Sequence, residues 1–151
     1  MIHDDITIRE ATQLFIHDEQ QAILKYGNIN NWNVSNVTIM NSMFYNATSF
    51  NQPLYNWNVS KVTNMAYMFC NAIKFNQYIG RWDVSNVNIM KSMFCNTRSF
   101  NQSIKKWNVS SVITMAYMFH NARSFNQQLN NWNVSKVTNM NSIFYNAISF
   151  N

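Results

Sequence analysis

A tryptophan stands at positions 32, 57, 82, 107 and 132, a 25-residue spacing with no insertion or deletion. Self-similarity at about 20–50 residues marks a stack of small units, each packed only on its neighbours. Other columns keep the same period. Two places after each Trp come Val34, Val59, Val84, Val109 and Val134, each followed by Ser. Next come Val37 and Met40 with their equivalents, then Met43 (Ile143 in the last copy), Phe44, and finally Phe50 followed by Asn51. Ile29, Leu54, Ile79, Ile104 and Leu129 precede the Trp by three.

Two periodicities alternate within a unit. Trp32-x-Val34 has period two, which predicts a short strand with one apolar face. Met40, Met43, Phe44 and Ala47 are spaced i, i+3, i+4, i+7, which predicts a short helix capped by Ser35 or Thr38. The fold expected is an α/β repeat: a solenoid of strand, turn and short helix, five repeats over residues 28–151. Residues 1–27 do not match the repeat and read as a helical cap within the same domain. Ala11, Leu14 and Phe15 share one face of a helix that Thr7 starts. Asp18 caps a second helix through Tyr26, and Gly27 stops it.

The chain has only two glycines and one proline, against 27 asparagines. Asparagine tolerates the left-handed backbone region, so it takes over the turns. The rows Asn46, Asn71, Asn96, Asn121, Asn146 and Asn51, Asn76, Asn101, Asn126, Asn151 are the expected turn formers, with amide ladders along the stack.

Charge is divided unevenly: −3 in residues 1–27 and +8 in the repeats, for a net +5. The basic residues are scattered, sharing columns only as Arg81/Lys106, Lys61/Lys136 and Arg98/Arg123. A nucleic-acid groove is therefore disfavoured against simple solubility, and weak polyanion binding is the third reading of function. Six carboxylates, five of them in the cap, and three dispersed histidines support no catalytic constellation, and no cofactor or metal site is expected. Cys70 and Cys95 share a column; the wide spacing expected on a helical side predicts two reduced thiols. No apolar run approaches the ~18 residues of a membrane helix, and Met1-Ile2-His3-Asp4-Asp5 lacks the regions of a secretory signal. With Met1 as the native start, an intracellular or virion-associated location follows. The Asn-, Ile-, Lys- and Phe-rich composition suggests an AT-rich genome, as in a virus or parasite.

The unit Trp-Asn/Asp-Val-Ser-x-Val-x-x-Met-x-x-Met-Phe-x-Asn-Ala-x-x-Phe-Asn-Gln resembles the BspA-like leucine-rich-repeat surface proteins over residues 28–151. Tyr26-Gly27 resembles their lead-in, and Leu54-x-x-Trp57-x-Val59-x-x-Val62 echoes the leucine-rich core. The resemblance implies a right-handed solenoid, consistent with parallel crossovers. It also implies adhesion or host interaction, and hence a cell-surface location. The residue after Trp, often Asp in that family, is Asn33, Asn58, Asn108 and Asn133 here, with only Asp83 acidic; this argues against a cation site.

With Trp and Val turned inward, two outward columns form a polar face: Asn31, Asn56, Arg81, Lys106, Asn131 and Asn33, Asn58, Asp83, Asn108, Asn133. This face is the expected binding surface for a protein or glycan, with Arg81 and Lys106 as charged anchors. The alternative is an assembly component, with copies joined through the uncapped C-terminal end at Phe150 and Asn151.

Overall fold

The computed structural model describes residues 2–151. Two helices open it, α1 (Thr7–His17) and α2 (Glu19–Tyr26), followed by a single turn at Ile29–Asn31. Helix α1 starts at Thr7 because the Asp4 carboxylate accepts the N–H groups of Ile6 and Thr7 at 3.1 and 2.8 Å. Asp18 caps α2 by accepting the Gln21 N–H at 3.0 Å, and Gly27, with φ 76°, ends it. Ile8, Ala11, Phe15 and Ala22 are buried. Phe15 packs edge-on against Trp32 and Phe50, which seats the helix pair on the first coil.

Behind the cap, five coils stack in register. The expected strand and helix do not form: the repeats hold no α-helix, and β-pairing is confined to isolated bridges. Burial follows the expected columns, but the backbone does something else. Between coils, the Trp-x-Val segment makes no backbone bond; its single bridge, Asn33 to Ile2, is to the cap. Coils join instead over 38–48 and its equivalents, the outermost bond running from the Lys74 N–H to the Thr48 carbonyl at 3.2 Å. The N–H groups of Met40, Ser42, Phe44 and Asn46 donate to the carbonyls of Asn64, Ala66, Met68 and Cys70 at 2.8–2.9 Å, and the set recurs at every step. Parallel bridges link Ile39, Asn64, Ile89, Thr114 and Asn139 in order.

This pairing explains why a helical spacing gives no helix. Every second N–H points along the stack, so it is lost to any i→i−4 bond. The intervening N–H groups close tight turns: Met43 to Met40, Tyr45 to Ser42 and Ala47 to Phe44, at 3.4, 3.2 and 3.1 Å. Such a path needs two left-handed residues per coil. One is the Asn46 row, with φ 55–62°. The other was not foreseen: Ser42, Tyr67, Ser92, Tyr117 and Ser142, with φ 53–58° at the serines and 58–59° at the tyrosines. Tyrosine pays a steric penalty in that region, which the ladder on both sides offsets. The Asn51 row is not left-handed. Its Oδ1 atoms accept the backbone N–H of the next Asn in the row, at 2.9 Å from Asn76 to Asn51.

Aromatic columns fill the interior. Phe44, Phe69, Phe94 and Phe119 stack at 5.5–5.7 Å, and each lies flat on the second Phe of its own coil at 4.0–4.2 Å. Indoles stand farther apart, 6.5 Å for Trp32–Trp57 and 6.4 Å for Trp57–Trp82. The coils are thus closest on the ladder side and open toward the indole side. Each indole N–H donates to the carbonyl at the start of the preceding coil: Trp57 to Ile29, Trp82 to Leu54 and Trp107 to Ile79, at 2.8–3.1 Å. Those carbonyls already accept the backbone N–H of their own coil's Trp. It is the buried indole N–H that needs a partner, and the second lone pair of the carbonyl supplies it. On the opposite edge the Asn46 row forms an unbroken amide ladder, Nδ2 to Oδ1 at 2.7 Å in all four steps.

Candidate functional site

All ten residues of the two polar columns are exposed, as the alternation around Trp and Val requires. They do not form a β-sheet face; their register is imposed by the ladder elsewhere in the coil. The two columns are chemically unlike. In the column after Trp, the Oδ1 atoms of Asn33, Asn58, Asp83, Asn108 and Asn133 each accept the N–H two residues on, from Ser35, Ser60, Ser85, Ser110 and Ser135, at 3.1–3.2 Å. These turns fix which way each amide faces, with oxygen inward and nitrogen outward. What this column offers a ligand is therefore mostly donors. The column before Trp carries no such duty. Arg81 and Lys106 make no hydrogen bond or ion pair among the described residues, and Asn31 and Asn56 meet only at 3.4 Å.

Asn31, Asn33, Asn56 and Asn58 come together around a shallow depression of about 320 Å³ floored by Asn30, Trp32 and Val34. Asn30 is buried, and its Oδ1 accepts the Asn56 N–H at 3.2 Å. A second recess, about 260 Å³, lies between the cap and the first coil, walled by Phe15, Ile16, Glu19 and the turn 46–52.

The ladder side carries residues that the strand-and-helix reading missed. Tyr67 and Tyr117 project from coils two apart, with buried Ser92 between them. The Lys91 ammonium lies 5.6 Å from the centre of the Tyr67 ring. Contact with the Tyr67 hydroxyl holds the lysine above its ordinary pKa. The signal was present as strict Ser/Tyr alternation in one column. On the same side, Cys70 is buried and Cys95 half-buried, both as free thiols. His120 follows in that column, its Nδ1 buried without a partner and its ring stacked on Tyr145 at 5.0 Å. Among the described residues no three His, Cys, Asp or Glu side chains converge to hold a metal ion. No helix among the described residues is long and apolar enough to cross a membrane.

A family model described as "Mycoplasma protein of unknown function, DUF285" matches residues 9–107 and again residues 77–151. The chain belongs to this family. The DUF285 matches overlap at 77–107, as equal repeats allow a model to start in more than one register. The family brings no function with it, and kinship with the BspA-like surface proteins is not shown by this match. No curated protein and no solved structure matches the chain.

Proposed function

We propose that this DUF285 chain is a non-enzymatic binding module that recognises a polar protein or glycan surface through the columns flanking its tryptophans. The observation that carries the reading is the turn-locked amide column around the depression at Asn31, Asn33, Asn56 and Asn58. Amide nitrogens held outward at four of the five coils, with the Asp83 carboxylate at the third, suit a ligand rich in hydroxyl or carbonyl oxygens. The rigid stack fixes their spacing, so little side-chain ordering is left to oppose binding. Arg81 and Lys106, one coil apart, add two cations for a ligand that also carries an acidic group. In this reading the stack is a right-handed solenoid and the ligand lies across several coils.

The test uses residues free of turn duty. The chain is screened on glycan arrays and in pull-downs beside N31A and an R81A/K106A double variant. Binding that falls at least about fivefold in either variant, about 1 kcal/mol, supports this face. Binding unchanged in both overturns it.

A second reading, end-to-end assembly, is favoured by the fifth coil. Val134 and Met140 are each 38 % exposed, where Val109 and Met115 are essentially covered. Light scattering across a concentration range tests it, and a constant monomer mass removes it.

A further inference from the structure

Cys70 and Cys95 stand at the same position of neighbouring coils, on the side where the coils are closest. The ladder runs through them: the Asn46 N–H donates to the Cys70 carbonyl at 2.9 Å and the Asn71 N–H to the Cys95 carbonyl at 2.8 Å. On one side of this column the Phe69 and Phe94 rings stack at 5.7 Å; on the other the Asn71 and Asn96 amides bond at 2.7 Å. Parallel neighbours paired in this way lie about 4.8 Å apart, inside the roughly 4.4–6.8 Å between Cα atoms that a disulfide accepts. The wide helical spacing expected from the sequence is absent because the helix is absent.

We propose that Cys70 and Cys95 form a thiol–disulfide exchange site that takes low-molecular-weight disulfides of the glutathione class and closes a bond between the second and third coils. The two thiols have different roles. Cys95 is half-buried and reachable, and interaction with the neighbouring Cys70 thiol holds its own below the ordinary range. Cys70 is buried; the same interaction, together with burial, pushes it up. The Cys95 thiolate attacks one sulfur of the small disulfide, forming a mixed disulfide and expelling the first small thiolate. Cys70 then gives its proton to solvent or to that thiolate, and its sulfur attacks Cys95 Sγ. The second small thiolate leaves with the bonding pair. In sum, one small disulfide and two protein thiols become one protein disulfide and two small thiols. The site is separate from the proposed binding columns and does not depend on them.

The experiment incubates the full chain with oxidised glutathione, alkylates what remains free and digests with trypsin without reduction. Cleavage after Lys61 and Lys74 places Cys70 on one peptide, and cleavage after Lys91 and Arg98 places Cys95 on another. The expected result is loss of both free thiols, these two peptides joined, and a chain that stays monomeric on a non-reducing gel. C70S should trap glutathione on Cys95, while C95S should react about tenfold more slowly at Cys70. Three results for the wild-type chain overturn the site: glutathione retained without the joined peptides, peptides joined only between chains, or no reaction. The wild-type result decides even if a serine variant misfolds, which circular dichroism would show.

Discussion

The first and fifth coils carry nearly the same residues and sit in opposite circumstances. On the outer side of the first coil, side chains of the cap do what a preceding coil would do with backbone. The Asp5 carboxylate accepts the N–H groups of Thr38 and Ile39 at 2.7 and 3.0 Å and the Thr38 hydroxyl at 2.6 Å. Arg9 donates to the Asn41 carbonyl and to its side-chain oxygen, at 3.1 and 2.6 Å. The Gly27 carbonyl takes the Trp32 indole N–H, and the Glu19 carboxylate takes the Gln52 amide. Nothing among the described residues does this for the fifth coil. The N–H groups of Met140, Ser142, Phe144 and Asn146 have no backbone acceptor, and Trp132 and Phe144 are only half-buried. The lesson is that a coil's stability belongs to the steps on its two sides rather than to its own residues.

That contrast can be broken most sharply in the core. Phe94 is fully buried between Phe69 and Phe119, so F94A should cost about 4 kcal/mol. F144A, the same change in the fifth coil, should cost less than half of that. Equal losses in urea titrations of the two variants would mean that the coils do not stabilise one another as described. The amide ladder comes next. Asn96 donates to Asn71 and accepts from Asn121, and it holds a φ of 57°. N96A should cost about 2–3 kcal/mol, from two lost bonds and left-handed strain. N96G should recover about 1 kcal/mol of this, while N146A loses a single ladder bond and should cost less.

The cap contributes a smaller and pH-dependent amount. Burial alone would raise the Asp5 pKa, but hydrogen bonds from the Thr38 hydroxyl and the Ile39 and Thr38 N–H groups, with the Arg9 charge, bring it below the usual carboxylate value. A carboxyl depressed in the folded chain stabilises it above its unfolded pKa, and this is lost as pH falls through the folded value. D5A should cost about 2 kcal/mol at neutral pH, and it should flatten the acid limb of the melting-temperature profile. An unchanged acid limb would place the cap's hold elsewhere. The smallest effect is optical. Four indoles are 2–4 % exposed and Trp132 is half-buried. Acrylamide should therefore quench about one-fifth of the emission readily, and W132F should remove that fraction. Free quenching of all five indoles would contradict the stacked core.

Much of this was legible in the residues. The columns that lie inside, both cap helices with Asp18 and Gly27 at their ends, and the amide ladder of the Asn46 row follow from spacing and residue chemistry. The exposure of the ten polar-column residues follows as well, because Trp32 and Val34 face inward and Asn31 and Asn33 cannot. The strand and helix assignments failed for one shared reason. Period two and the spacing i, i+3, i+4, i+7 describe which side chains are buried, and more than one backbone path satisfies them. Tyr67 in a left-handed conformation gives no compositional warning, since tyrosine is not a turn former. The Oδ1 of Asn33 is committed to the Ser35 N–H, which makes half of the candidate site partly structural, and only the folded turn reveals it.

The sequence by itself determined that this chain stacks five equal units on a helical cap, and which columns form the interior. A 25-residue period in apolar positions sets equivalent side chains above one another, so that each coil buries its face on the next. Only the tertiary structure decided where the coils bond to one another, and with it which side is tight enough to bring Cys70 beside Cys95. Backbone hydrogen bonds between coils are made by groups that every residue carries, so no side-chain pattern records their position.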